Sequence, residues 1–157
     1  MGQHRGDKEV AGTKAVVVDA SVAVKWFVEE PGSDSANRLL DDYVEERIDV
    51  HSTQQLPFEV LNALRYNPEF GLEKLQTAAK ALDALGLALH PLQGDYAERT
   101  LANAVNHGVT VYDSGYVSLG EELGLTVYTA DEKLIKKVGS KTLFHISRYG
   151  VAASTNS

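Results

Sequence analysis

Ala15-Val16-Val17-Val18-Asp19-Ala20-Ser21 is the first sustained apolar run in this 157-residue chain, and it sets the architecture. Its residues are short, apolar and mostly β-branched, without polar alternation, as a strand buried on both faces requires. It stops abruptly on a carboxylate. A helical pattern follows from Ala20 to Glu29 and is broken by Pro31-Gly32.

Outward from this strand the same alternation continues. Ala36, Leu39, Leu40, Tyr43 and Val44 stand at helical spacing, and Ile48 to His51 reads as a second strand. Ser52 and Thr53 offer N-caps, and Pro57 a first-turn position, for a helix reaching about Tyr66. Leu72 to Leu85 is a further helix ended by Gly86, and Leu87 to His90 a short strand. Asp95 with Glu98 forms a capping-box-like start to a helix closed by Gly108. Val109 to Tyr112 leads into a helix over Ser114 to Leu123. Leu125–Thr129 is a strand, Glu132–Val138 a helix and Thr142–Ile146 a last strand. Strands alternating with helices predict an α/β fold, a mostly parallel central sheet flanked by helices in three layers. Residues 15–149 form one domain, with flexible extensions expected over 1–14 and 150–157.

Composition bounds the chemistry. Apolar residues at 43% and charged residues at 24% describe a globular protein. With no cysteine, disulfides, zinc knuckles, iron–sulfur clusters and thiol nucleophiles are excluded. No apolar run approaches the roughly 20 residues of a membrane span, and no signal peptide is evident, so a cytoplasmic protein is expected. The net charge of −7, from 15 basic and 22 acidic residues, runs against ordinary phosphate-binding proteins.

Four acids stand apart from the solvated helix charges. Asp19 and Asp131 each follow a strand directly, and open parallel sheets bind ligands beyond the carboxyl ends of their strands. Glu59 lies in the first turn behind Pro57, and Asp113 at the start of the Ser114 helix, where unpaired N–H groups and the helix dipole favour a carboxylate. Singly, each reads as a cap. Converging in one cleft, they would repel one another, and a hard divalent cation would relieve the repulsion.

The residues around these acids resemble the four motifs of PIN domains, in order. Val16-Val17-Val18-Asp19-Ala20-Ser21 resembles the first, and Pro57-Phe58-Glu59-Val60-Leu61-Asn62-Ala63-Leu64 the second. Tyr112-Asp113-Ser114-Gly115-Tyr116-Val117-Ser118-Leu119-Gly120-Glu121 resembles the third, and Val127-Tyr128-Thr129-Ala130-Asp131-Glu132-Lys133-Leu134 the fourth. Gly115 and Gly120 depart from the alanines common there. The resemblance implies Asp19, Glu59, Asp113 and Asp131 as catalytic ligands of Mg²⁺ or Mn²⁺, with Ser21, Asn62 and Thr129 in support. It further implies metal-dependent endoribonuclease action on single-stranded or structured RNA, leaving a 5′-phosphate. The VapC type within this family adds a small antitoxin partner and a homodimer.

Lys25, Arg65, Lys133, Lys136 and Lys137 are offered either to RNA or to solvent, and Trp26 and Phe27 to packing. The alternative reading is a catalytically weak PIN fold used for assembly or RNA processing, which the acidic charge favours. A dehalogenase-type phosphatase fits worse, because Ser21 stands where its second aspartate belongs. A receiver domain fits worse, because Asp19 has no acidic neighbour and the chain is too helical between Ser35 and Leu85. No nucleophile elbow is present, and His4, His51, His90, His107 and His145 lack metal-ligand spacing.

Overall fold

The computed structural model describes residues 14–151. The proposed extensions at 1–14 and 150–157 therefore lie almost wholly outside the described residues. Lys14 is the exception at the first boundary, because it pairs with Ile48 as the opening residue of a strand.

Five strands, β1 (Lys14–Val18), β2 (Ile48–Thr53), β3 (Ala88–His90), β4 (Thr126–Thr129) and β5 (Leu143–His145), form one sheet in the order β3-β2-β1-β4-β5. Every pairing is parallel. Among the described residues seven α-helices cover it: α1 (Ala20–Ala23), α2 (Ser33–Val44), α3 (Leu56–Arg65), α4 (Leu72–Leu85), α5 (Gly94–His107), α6 (Val111–Leu123) and α7 (Glu132–Val138). The expected three-layer α/β architecture is the one observed.

Successive β1 residues serve opposite layers. Val17 packs with Leu56, Val60, Tyr116 and Val127, whereas Val16 and Val18 pack with Leu39, Tyr43 and Ile146. A strand with apolar cover on both faces explains its unbroken valine run. The order of strand addition reverses about β1, with β2 and β3 on one side and β4 and β5 on the other. The rim beyond β1 and β4 is thus a topological switch point, where such sheets place their ligands.

Some local expectations fail for identifiable reasons. The helix after Asp19 makes one α-turn, then a 3₁₀ turn over Val24–Trp26, and ends. Trp26 donates its indole N–H to the Ala36 carbonyl at 3.0 Å, tying the turn to α2. Ser52 and Thr53 do not cap α3 but finish β2, where the Ser52 hydroxyl donates to the Val18 carbonyl at 2.7 Å. Asp95 lies inside the first turn of α5, whose N-cap is Gln93 and makes no side-chain bond.

Gly120 is required by packing. A Cβ there would lie 2.2 Å from Val127 Cγ2 and 2.9 Å from the Leu125 carbonyl, so α6 approaches β4 only without a side chain. Among the described residues, no helix is long and apolar enough to cross a membrane.

Candidate active site

The rim beyond β1 and β4 is assembled by strand register. Val18 pairs with Tyr128, so Asp19 emerges beside Thr129. Asp19 is 5% exposed, and its carboxylate is fully engaged. Oδ1 accepts from the Ser21 hydroxyl at 2.6 Å and the Val22 N–H at 3.3 Å, while Oδ2 accepts from the Thr129 hydroxyl at 2.5 Å. Burial pushes this carboxyl up to about 6, against the pull of its three hydrogen bonds, and the charge of Asp113 adds to the rise.

Glu59 projects from the first turn of α3. Its Oε1 accepts from the Tyr116 hydroxyl at 3.1 Å, whereas Oε2 is buried without a hydrogen-bond partner. Burial raises its pKa, and the charges of Asp113 and Asp19 raise it further. Asp113 sits in the first turn of α6, its N–H donating to the Thr110 hydroxyl at 3.0 Å. Burial raises its pKa, and Asp131 adds repulsion. Asp131 caps α7, with Oδ1 accepting from the N–H groups of Lys133 and Leu134 at 3.0 and 3.1 Å.

The four acids are therefore electrostatic neighbours: Asp131 acts on Asp113, and Asp113 acts on both Asp19 and Glu59. They line one rim without forming a closed cage. Among the described residues, no group of three or more His, Asp or Glu side chains is drawn tightly enough to hold a metal ion. Two observations nonetheless fit a hard cation. A carboxylate oxygen is buried unpaired at Glu59, and three acids sit in mutual repulsion.

Thr129, fully buried, links two of the acids. Its hydroxyl donates to Asp19 and accepts from the Asp131 N–H at 3.0 Å. Ser21 also accepts from the Ala130 N–H at 2.8 Å, so it holds Asp19 against β4. Asn62 is exposed, lining an open groove with Glu59 and Asp113, and bonds to nothing among the described residues.

Sequence reading missed Tyr116, which orients Glu59. The available signal was its position one helical turn after Asp113, but a tyrosine on an apolar helix face reads as core. It also missed that His51 and His90 meet across β2 and β3, Nδ1 to Nε2 at 2.8 Å. Lys25 is neither solvated nor offered to RNA. It is buried and paired with Glu30 at 2.8 Å. Lys137 reaches the Gly108 carbonyl at 3.4 Å, and Arg65 stacks over Tyr66 at 5.5 Å. Trp26 and Phe27 pack against the core.

Comparison with known proteins bears on the family and the fold. The family model for the PIN domain matches residues 16–141. Ribonuclease VapC3 of Pyrobaculum aerophilum is 34% identical over 126 residues, spanning 78% of this chain and 93% of that protein. A toxin–antitoxin complex from Klebsiella pneumoniae contains a chain that superposes with a TM-score of 0.63 at 16% identity, over 83% of this chain and 97% of that one. FitAcB from Neisseria gonorrhoeae superposes with a TM-score of 0.63 at 18% identity, over 84% and 98%. At those identities the two structures bear on the fold.

Proposed function

This chain belongs to the PIN domain family, and from that premise we propose that it is a divalent-metal-dependent endoribonuclease, the toxin of a toxin–antitoxin pair. The observation that carries the reading is the buried, unpaired Oε2 of Glu59 beside the mutually repelling Asp19 and Asp113. The relative's name, Ribonuclease VapC3, supports RNA as the substrate.

Asp19, Glu59, Asp113 and Asp131 would hold the cation, with Mg²⁺ or Mn²⁺ matching an all-oxygen donor set. When bound, the cation supplies Lewis-acid stabilisation of the charge that builds on the phosphate and lowers the pKa of an attacking water. The chain's own groups do the rest. Ser21, the Val22 N–H and Thr129 fix Asp19, and Tyr116 holds Oε1 of Glu59 while Oε2 is left without a protein partner. One of these four acids would position the attacking water or take its proton. Asn62, exposed in the same groove, orients the substrate phosphate or a water.

A small antitoxin is the expected protein partner, because a chain of similar fold belongs to the toxin–antitoxin complex from Klebsiella pneumoniae. The surface supports one: an open groove of about 500 Å³ between α3 and α4 is walled by Pro57, Phe58, Leu61, Leu75 and Ala79. Phe58, Tyr66 and Leu72, each more than 70% exposed, belong to the same two helices or the turn between them. A homodimer and a cytoplasmic site of action complete the reading.

The test is cleavage of single-stranded RNA by the purified protein in Mn²⁺ or Mg²⁺, beside EDTA and an Asp19→Asn, Asp113→Asn double variant of confirmed fold. Cleavage by the parent alone, and only with metal, is the expected result. Failure to bind Mn²⁺ in calorimetry would remove the nuclease and leave the acidic chain as an assembly module.

A further inference from the structure

The groove carrying Glu59 and Asp113 does not end at those acids. It is also lined by Gln55, Phe58 and Tyr112. A second cavity, of about 140 Å³, shares Gln55 and Tyr112 as a common wall and continues to Gln54, His90, Leu92 and Tyr96. The two spaces therefore adjoin across these side chains. An exposed aromatic stands beside each of two site acids: Phe58 precedes Glu59 and is 75% exposed, and Tyr112 precedes Asp113 and is 58% exposed.

The walls of the second cavity are held from behind. Tyr96 is buried, and its hydroxyl donates to the Gly115 carbonyl at 2.8 Å, which fixes the ring against α6. The His90 ring is fixed by the 2.8 Å contact of its Nε2 with His51 Nδ1. The backbone beside it is pinned too, with the Gln54 N–H donating to the His90 carbonyl at 3.1 Å and the Gln55 N–H to Thr53 Oγ1 at 3.2 Å. The side-chain amides of Gln54 and Gln55 are exposed, and among the described residues neither bonds to protein.

The lining decides the ligand class. It holds no lysine or arginine, so an isolated phosphate has no counter-charge there, and a single imidazole with two amides is a poor metal set. A flat exposed ring beside free amides suits a flat heterocycle with a hydrogen-bonding edge. Single-stranded RNA is read in this way, by stacking bases on aromatic rings and bonding their edges to polar side chains. The volume is that of one base.

We propose that Gln54, Gln55, His90, Tyr96 and Tyr112 form a nucleobase pocket for the nucleotide adjoining the scissile phosphate. Tyr112 stacks on the base, and the two glutamine amides read its edge. The word "scissile" rests on the nuclease reading above, but the pocket is tested without cleavage.

The probe is a set of four 5′-labelled homopolymeric pentaribonucleotides, bound to the full chain in Ca²⁺ and followed by fluorescence anisotropy. The parent is expected to bind at least one of them with a several-fold preference over the others. Tyr112→Ala weakens that binding by about 10-fold, from the ~1–3 kcal/mol of one base–aromatic stack, while Tyr112→Trp retains it. The Gln54→Ala, Gln55→Ala double variant still binds but no longer distinguishes the four. Absence of binding to all four, parent-like affinity in Tyr112→Ala, or an unchanged preference in the double variant would each overturn the pocket. Cleavage in Mn²⁺ is scored on the same oligonucleotides. Binding without cleavage removes the nuclease and keeps the pocket, whereas parent-like binding and cutting by Tyr112→Ala removes the pocket and keeps the nuclease.

Discussion

Replacing Asp19 with asparagine should make the metal-free protein more stable near neutral pH while abolishing its activity. The carboxyl moves from 3.8 to about 6 on folding because burial favours the uncharged form. The folded chain thus binds this proton more tightly than the unfolded chain. The resulting stability is fully present below pH 3.8 and is lost as pH rises through about 6. A change of about 2 pK units corresponds to roughly 3 kcal/mol of strain in the ionised, metal-free state.

Asparagine carries no charge to desolvate. Its Oδ1 can still accept from Ser21 and the Val22 N–H, but its Nδ2 faces the Thr129 hydroxyl, which must turn to accept. Losing the charge-assisted character of these bonds costs about 1–2 kcal/mol. A net gain of about 1–2 kcal/mol remains near neutral pH, or roughly 2–8 °C in melting temperature for a chain of this size. The assay is thermal unfolding in EDTA at a series of pH values. The variant should pull ahead of the parent as pH rises through about 6 and show no advantage at lower pH. Excess Mn²⁺ should reverse the order by stabilising the parent. A variant less stable than the parent in EDTA at neutral pH, or a difference that ignores pH, would refute the reasoning.

Tyr116→Phe removes the hydroxyl that holds Glu59 Oε1 and should weaken Mn²⁺ affinity by about 10-fold or more, measured by calorimetry, with the fold intact. Asp131→Asn keeps an oxygen to cap α7, so its melting temperature should match the parent's while RNA cleavage falls; Asp131→Ala should lose about 1 kcal/mol of stability as well, seen in denaturant titration. Gly120→Ala should lower stability by about 1–3 kcal/mol in the same titration despite alanine's better helix propensity, because its Cβ meets Val127 and the Leu125 carbonyl. Gly115→Ala, where the nearest atom is the Tyr96 hydroxyl at 3.3 Å, should be far milder.

Where local chemistry decides structure, the sequence was legible. Leu72–Leu85 and Glu132–Val138 run as expected because apolar spacing and a left-handed glycine, Gly86 or Gly139, bound them. Tertiary contacts override that logic elsewhere, as at Trp26, whose bond to Ala36 belongs to another helix, and Ser52, whose bond crosses the sheet. The site divides the same way. Asp19 and Asp131 are readable as strand-end acids, yet their link through one hydroxyl of Thr129 follows from the β1–β4 register, which periodicity does not reveal. His51 and His90 are a sharper case, because spacing along the chain contains no trace of a contact that only the β2–β3 pairing creates.

The net charge of −7, the main objection to an RNA-acting protein, takes a different meaning once the cations are placed. Lys25 is buried against Glu30, Arg47 is bound to Asp42 and Glu45, and Arg99 lies between Glu121 and Glu122. These charges are spent within the fold and are not a phosphate-binding stripe. Beside the exposed Lys133 of α7, two further sources of affinity stand near the acids. On the proposed reading, one would be a cation held by the carboxylates, which would carry positive charge to the phosphate. The other is stacking on exposed rings, which needs no charge on the protein. Without the cation, the rim of Asp19, Glu59, Asp113 and Asp131 repels RNA and its members repel one another. On the proposed reading, the acidity that argues against phosphate binding by the bare chain would make association with RNA conditional on the metal.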